Sequence, residues 1–181
     1  IAAIKTTKNI AREFYLPDED LKRKISIFDF ENNSLRESYD FQKVFHKGLP
    51  EYINNECQGT IVTERGTGGI LNLLKKPPKS KSGRIDNFAL ALLGRQLGLN
   101  AMVTGSLEDI RIVDELKGIL WTKDTHHFVD VFVRVEVYDT RTATKILDDT
   151  FSQRIEIEDL EYQLIRDSKK PRLPGVFALY K

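Results

Sequence analysis

The stretch FVDVFVRVEVYD, Phe128 to Asp139, alternates with a period of two. Val129, Val131, Val133, Val135 and Val137 fall on one side of an extended chain, and Asp130, Phe132, Arg134, Glu136 and Tyr138 fall on the other. Such a strand has one buried face and one wetter face, so it belongs in a sheet that is packed on a core. After the polar turn DTRTATK, the segment ILDDTFSQRIEI brings Leu147, Phe151, Ile155 and Ile157 at the same period, which predicts a long hairpin.

The rest of the chain must cover that apolar ribbon. In KISIFDF, Lys24 to Phe30, Ile25 and Ile27 are expected on one face and Phe28 and Phe30 on the other, a strand held between two layers. Phe41, Val44, Phe45, Leu49, Tyr52 and Ile53 recur at spacings of three and four and predict a helix, with a break or kink near Gly48 because Pro50 lacks an N–H. GTIVTE reads as a second strand, and Gly69 to Leu74 as a short helix. Capped by Ser82 or Asp86, the next helix is expected to bury Ile85, Phe88, Ala89, Leu92, Leu93 and Leu97 and to end at Gly98. AMVTGSLEDIRIV and GILWTK read as two further β segments. The order implies an α/β sandwich with helices packed on a mixed, largely antiparallel sheet. The domain is expected over 23–157, with an N-terminal extension over 1–22 and a helical tail over 158–181.

Charge and composition narrow the function. With 28 basic and 27 acidic residues the net charge is +1, so no global field argues for a nucleic-acid partner. At 40% hydrophobic and 30% charged residues the chain lies far from the composition of disordered segments. Cys57 is the only cysteine, which rules out an intramolecular disulfide and a cysteine-based metal cluster within this chain. The first residue is Ile1 rather than Met, so a signal or tail upstream is expected.

TERGTGGILNLLKKPPKSKSGRID holds Gly66, Gly68 and Gly69 but no Lys and Ser or Thr directly after the last glycine, as a phosphate-binding Walker loop requires. The glycines read as a strand-to-helix turn, with a nucleotide- or anion-binding protein using the Gly66–Gly69 turn and the basic loop 75–84 as the alternative. His126 and His127 are adjacent, so on a strand they diverge and do not share one metal ion, and His46 is distant in sequence. Asp148 and Asp149 diverge likewise, Ser106 in TGSLED lacks the second glycine of a nucleophile elbow, and Cys57 has no local signature. The expectation is no catalytic set, no cofactor and no metal. Two groups remain as a candidate interaction surface. One is the basic loop with Lys75, Lys76, Lys79, Lys81 and Arg84, and the other is the outward aromatic and basic row with Trp121, Phe132, Arg134 and Tyr138.

RKISIFDFENNS, ALLGRQLGLNAMVTGSLEDI and VFVRVEVYDTRTATKILDDTF, with the linking VTER…GILNLL, together resemble the CsgG-like and TolB N-terminal-like bacterial envelope family. The shared features are a basic residue leading into a strand that ends in an aromatic and an Asn-rich turn, a helix followed by a "v.Gs" strand, and a closing hairpin. The resemblance covers most of residues 23–157 and departs at Ala143, where the family often has Gly. It implies a TolB N-terminal/anticodon-binding-like sandwich without enzymatic activity. Related members include outer-membrane lipoproteins, a periplasmic activator of penicillin-binding peptidoglycan synthases, and flagellar accessory proteins. The implied role is a periplasmic or outer-membrane-associated domain that binds envelope proteins in surface-structure secretion or cell-wall assembly. It would be anchored through an upstream lipidated cysteine. An anionic membrane surface is the second partner considered for the basic loop, and a homo-oligomer is left open. A further alternative is a pore-forming secretion-channel subunit, because the hairpin of 119–157 is long enough to cross a bilayer.

Overall fold

The computed structural model describes residues 2–13, 23–36, 39–56, 60–62, 76–118 and 124–167. Its elements in chain order are α1 (Ala2–Glu13), β1 (Arg23–Ile27), β2 (Glu31–Asn32), α2 (Tyr39–Glu56), β3 (Thr60–Val62), α3 (Asn87–Gln96), β4 (Ala101–Lys117), β5 (Asp124–Asp139), β6 (Lys145–Ile157) and α4 (Asp159–Asp167). The sheet runs β3-β1-β4-β5-β6, with β2 added beside β4, and it is open. β1 is parallel to β3 and β4, β2 is parallel to β4, and β4, β5 and β6 form an antiparallel meander. The α/β class and the mixed, largely antiparallel sheet are as the sequence predicts. No helix among the described residues is long and apolar enough to cross a membrane.

The valine row is the centre of the molecule. Val129, Val131, Val133, Val135 and Val137 are all buried, in one core with Ile10 of α1 and Phe45, Leu49 and Ile53 of α2. Each valine removed from water contributes roughly 1.5 kcal/mol. α4 adds Tyr162 and Ile165 at the margin of the same core. On the opposite side of the sheet a smaller cluster joins Leu90 and Leu93 of α3 to Phe28, Leu99, Met102 and Tyr138. β4, which the sequence splits from a second segment at GILWTK, runs through Lys117 as one strand of 17 residues. Residues 119–123, like the glycine turn at 66–69 and the helix expected over 69–74, lie outside the described residues.

Several expectations need correction. Phe28 and Phe30 do not share a face: Phe30 joins the main core with its ring 4.9 Å from that of Phe45, while Phe28 enters the small cluster. The cause is a change of phase. Between the pairs Ile27↔Val103 and Glu31↔Ser106, the first chain advances four residues and β4 advances three, so alternation cannot be carried across the gap. α2 runs unbroken through Pro50. The roughly 3 kcal/mol cost of a mid-helix proline is offset by Leu49 and Ile53, each 0% exposed, whose burial is worth about 1.5–3 kcal/mol apiece. In α3 the buried residues are Leu90, Ala91, Leu93 and Gly94, whereas Phe88 is 78% and Leu92 53% exposed. Leu93 is buried as expected and Ile85 and Leu97 pack against the same cluster, so periodicity misplaced Phe88 and Leu92 and missed Leu90 and Ala91.

The cap and turn chemistry follows the sequence. The Asp86 carboxylate accepts from the N–H groups of Phe88 and Ala89, both at 3.1 Å, and Gly98 takes a left-handed φ of +66° just past the helix end. At the β5–β6 turn, Asp139 Oδ1 accepts from the N–H groups of Arg141 at 2.7 Å and Thr142 at 2.8 Å. These bonds, that from Thr142 above all, hold the Asp139 carboxyl below its ordinary value. Ala143 follows with φ of 58°, in the left-handed region, where a Cβ costs roughly 1–2 kcal/mol. The expected result for Ala143→Gly is a gain of about 0.5–1 kcal/mol, once the extra freedom of glycine in the unfolded chain is subtracted. Urea unfolding measures it, and an unchanged or lower midpoint contradicts the strain.

Candidate functional site

The outer face of the meander carries the side chains that the valine row leaves on the other side of β5. α3 covers one end, where Tyr138 is only 2% exposed. Beyond it, Arg134, Glu136 and the facing residues of β4 and β6 meet the segment 76–86, which folds over them as a tight turn. Ser80 N–H donates to Arg84 O at 2.7 Å, Gly83 N–H to Ser80 O at 2.9 Å, and Asp86 N–H to Pro78 O at 2.9 Å. Pro77 is buried beneath the turn, and Lys79 reaches Glu31 of β2 at 2.8 Å. The space between the turn and the sheet is a cleft of about 580 Å³, lined by Lys79, Arg84, Arg134, Glu136, Tyr138 and Lys145 among others.

The cleft wall is an ion-pair network. The Arg134 guanidinium bonds Asp148 through Nε at 2.8 Å and Nη2 at 2.9 Å, a two-pronged pair that fixes its plane. Its Nη2 is also 3.2 Å from Glu136. Lys145 Nζ bonds Asp148 at 2.8 Å as well as Glu136, and the Tyr138 hydroxyl donates to Glu136 at 3.3 Å. Burial lowers the Lys145 ammonium, but its bonds to Asp148 and Glu136 outweigh burial and raise it above its usual value. Burial is the main cause that raises Tyr138. The Arg134 bonds, followed by that from Lys145, hold the Asp148 carboxyl well below the carboxylate range.

The sign of the pH effect follows from that depression. The Asp148 contribution is present above the unfolded value near pH ~4 and is lost as pH falls toward the folded one. With the side chain 36% exposed, solvent screening keeps the slope shallow. The expected result is that Asp148→Asn is less stable than the parent at neutral pH and that the two curves converge between about pH 4 and pH 2. Urea midpoints across that range check it, and parallel curves contradict it.

Farther along the meander, the network becomes a ladder. Arg154 pairs in two-pronged fashion with Asp130 at 2.7 and 2.8 Å and with Glu115 at 2.9 Å. Arg111 bonds Asp109 at 2.7 Å and stands 4.7 Å from the centre of the Phe132 ring, while Lys117 stands 4.5 Å from that of Phe128. His126 bonds Glu156 on this face. His127 points to the other face, where it bonds Asp114 at 2.8 Å and stacks on Tyr162 of α4 at 3.8 Å. The two histidines therefore diverge as a strand requires. Among the described residues no group of His, Cys, Asp and Glu is arranged to hold a metal ion.

Of the residues singled out from the sequence, Lys79, Arg84, Arg134 and Tyr138 are brought together around one cleft. Lys76 and Lys81 are exposed on the same segment without lining it, and Phe132 is half-buried under Arg111. Lys75 and Trp121 lie outside the described residues. Glu31, Glu136 and Lys145 were not singled out, and Asp148 was considered only as half of a carboxylate pair with Asp149. Glu136 was within reach, since it shares the face of Arg134. Once the hairpin register is known, Asp148 stands directly opposite Glu136. The proline-bearing loop is closed by its own backbone hydrogen bonds and a bridge between Lys79 and Ile85.

No protein-family model and no curated protein sequence matches the chain. Solved structures do. The chain is similar to the LpoB C-terminal domain from Escherichia coli with a TM-score of 0.52 at 7% identity, over 84% of this chain and 98% of that one. The same domain from Salmonella enterica gives 0.46 at 8% identity over 84% and 96%, and a hypothetical protein from Chlamydia trachomatis gives 0.48 at 12% over 82% and 83%. The likeness to the Escherichia coli domain is one of fold.

Proposed function

We propose that this chain is a non-catalytic periplasmic or outer-membrane-associated domain that binds envelope proteins in surface-structure secretion or cell-wall assembly. Its docking surface is the outer face of β4, β5 and β6 with the 76–86 turn. The observation that carries the reading is the pairing on that face. Arg134, Lys145, Arg154 and Lys79 are each held by carboxylates, and Phe132 and Phe128 lie beneath cations. Ordered arginines and aromatics on a broad sheet suit recognition of a complementary protein surface. The CsgG-like and TolB N-terminal-like resemblance and the fold shared with the LpoB C-terminal domain support the same reading. An upstream lipidated cysteine as the anchor is part of the proposal.

Two arrangements weigh against the alternatives. The valine row that a membrane-inserted hairpin would turn to lipid is covered by α1 and α2. Three of the cleft cations are committed to Glu31, Glu136 and Asp148, which leaves Arg84 as the lining cation without an ion pair among the described residues.

Affinity capture from envelope extracts with the parent chain and with Arg84→Glu tests the reading. An envelope protein retained by the parent and released from the variant is the expected result. Recovery of nucleotides or metabolites alone sinks the protein-binding role, and equal retention by both chains removes the cleft from it.

A further inference from the structure

β6 is an edge strand of 13 residues without proline or glycine, and among the described residues it has β5 on one side and no strand on the other. An edge of that length leaves a row of backbone N–H and C=O groups facing outward and is a template for another strand. Its side chains decide which strand fits. Read outward from Phe151 in both directions, β6 has Thr150 and Ser152, then Asp149 and Gln153, then Asp148 and Arg154, then Leu147 and Ile155. These four pairs match small hydroxyl with small hydroxyl, acid with amide, acid with base, and apolar with apolar, whereas the two end pairs, Ile146 with Glu156 and Lys145 with Ile157, are unmatched.

We infer that β6 pairs with β6 of a second copy of this chain, antiparallel, about a two-fold axis at Phe151. Two-fold symmetry requires the same strand to serve as both partners, and the chemically palindromic centre of β6, residues 147–155, meets that condition. Neighbouring registers do not. Moving the axis to Thr150 loses all four matched pairs, with Asp149 opposite Phe151 and Leu147 opposite Gln153, and moving it to Ser152 sets Asp148 opposite Glu156. Like charges directly opposite one another destabilise a strand pair.

The register at Phe151 also continues a row that already crosses the sheet. Arg111, Asp130 and Arg154 stand directly opposite one another on β4, β5 and β6. In the paired state Asp148 of the second copy becomes the next member, so the charges alternate across the junction of the two sheets. The Asp148 carboxylate already carries Arg134 and Lys145, and Arg154 already carries Asp130 and Glu115. The junction therefore joins two networks with their charges in alternation. On the inner side, half-buried Leu147 and Phe151, at the margin of the main core, meet Ile155 and Phe151 of the second copy.

Sedimentation equilibrium up to the highest soluble concentration reads the mass, with twice 20.8 kDa expected. The register is read by disulfide trapping in a Cys57→Ser background. In an equimolar mixture of Thr150→Cys and Ser152→Cys chains the two thiols are directly opposite. In Thr150→Cys alone they are diagonal, with Cβ atoms about 7–8 Å apart, too far for a relaxed disulfide. The mixture should oxidise to a covalent dimer well ahead of the single variant. Arg154→Glu, which opposes two carboxylates at both ends of the pair, should weaken the dimer by about tenfold or more with unchanged circular dichroism. A monomer at every concentration overturns the inference. So does a dimer whose mixture traps no faster than the single variant, or one that Arg154→Glu leaves as tight as the parent. None of these readouts involves Arg84, so they stand or fall apart from the envelope-protein reading.

Discussion

Replacing Gly105 by alanine is expected to lower the unfolding free energy by about 3 kcal/mol or more, enough to leave little folded protein in a domain of ordinary stability. Gly105 sits in β4 directly opposite Val135, inside the longest ladder of the sheet. A Cβ built there would lie 2.2 Å from the backbone carbonyl oxygen of Arg134 and 2.5 Å from the Phe30 ring. The ring could tilt, but the carbonyl belongs to β5, whose position is fixed by pairing with β4 and β6 on both sides. Relief would require the β4–β5 ladder to open over the buried valine row. Trimming Phe30 therefore does not rescue the variant, because the carbonyl remains. Urea unfolding and soluble yield of Gly105→Ala are the measurements, and a midpoint equal to that of the parent would refute the close approach.

That glycine shows how far the chain could be read before its structure. The "v.Gs" resemblance marks VTGS as a motif, yet neither periodicity nor propensity gives Gly105 a reason. The reason is a ring from before β2 lying over β4, and that ring reaches Gly105 only because the phase changes between Ile27 and Glu31. Local signals were legible wherever the structure is local: the valine alternation of β5, the Asp86 cap, the Gly98 end, the β5–β6 hairpin. They misled where a second layer decides. Phe88 and Leu92 are as apolar as Leu90 and Leu93, and only the position of the sheet chooses between them. Tyr138 reads as outward and is outward of the valine row, but α3 closes over it. The cleft divides the same way. Arg134 and the basic loop stand out as charge, whereas Asp148, Lys145 and Glu31 acquire their roles from strand pairing and from the fold-back of the 76–86 turn.

A second glycine supplies the contrasting case, because its obstacle can be removed. Gly94 lies on α3 where the helix rests on the start of the β5–β6 turn. A Cβ there would be 2.2 Å from Thr140 Cγ2, 3.1 Å from Thr140 Cβ and 3.3 Å from Met102 Cγ. Thr140 cannot swing aside without loss. It is buried, and its hydroxyl donates to the carbonyl of Leu99 at 2.5 Å, with the Asn100 carbonyl 3.0 Å away. A rotation that frees the methyl would strip the buried Leu99 carbonyl of this hydroxyl, at a cost of about 1–3 kcal/mol, while the Asn100 carbonyl keeps the Thr140 N–H at 3.0 Å. Gly94→Ala is accordingly expected to destabilise by about 2–3 kcal/mol, although alanine is the better helix former by up to about 1 kcal/mol. Thr140→Ser keeps the hydroxyl and deletes the offending methyl. In the Gly94→Ala background it should restore about 1–2 kcal/mol, whereas alone it should cost up to about 1 kcal/mol for the lost buried methyl. The double-mutant cycle thus changes the sign of the serine substitution. Additive effects would mean that α3 does not rest on Thr140, and with it would go the packing that closes one end of the outer face.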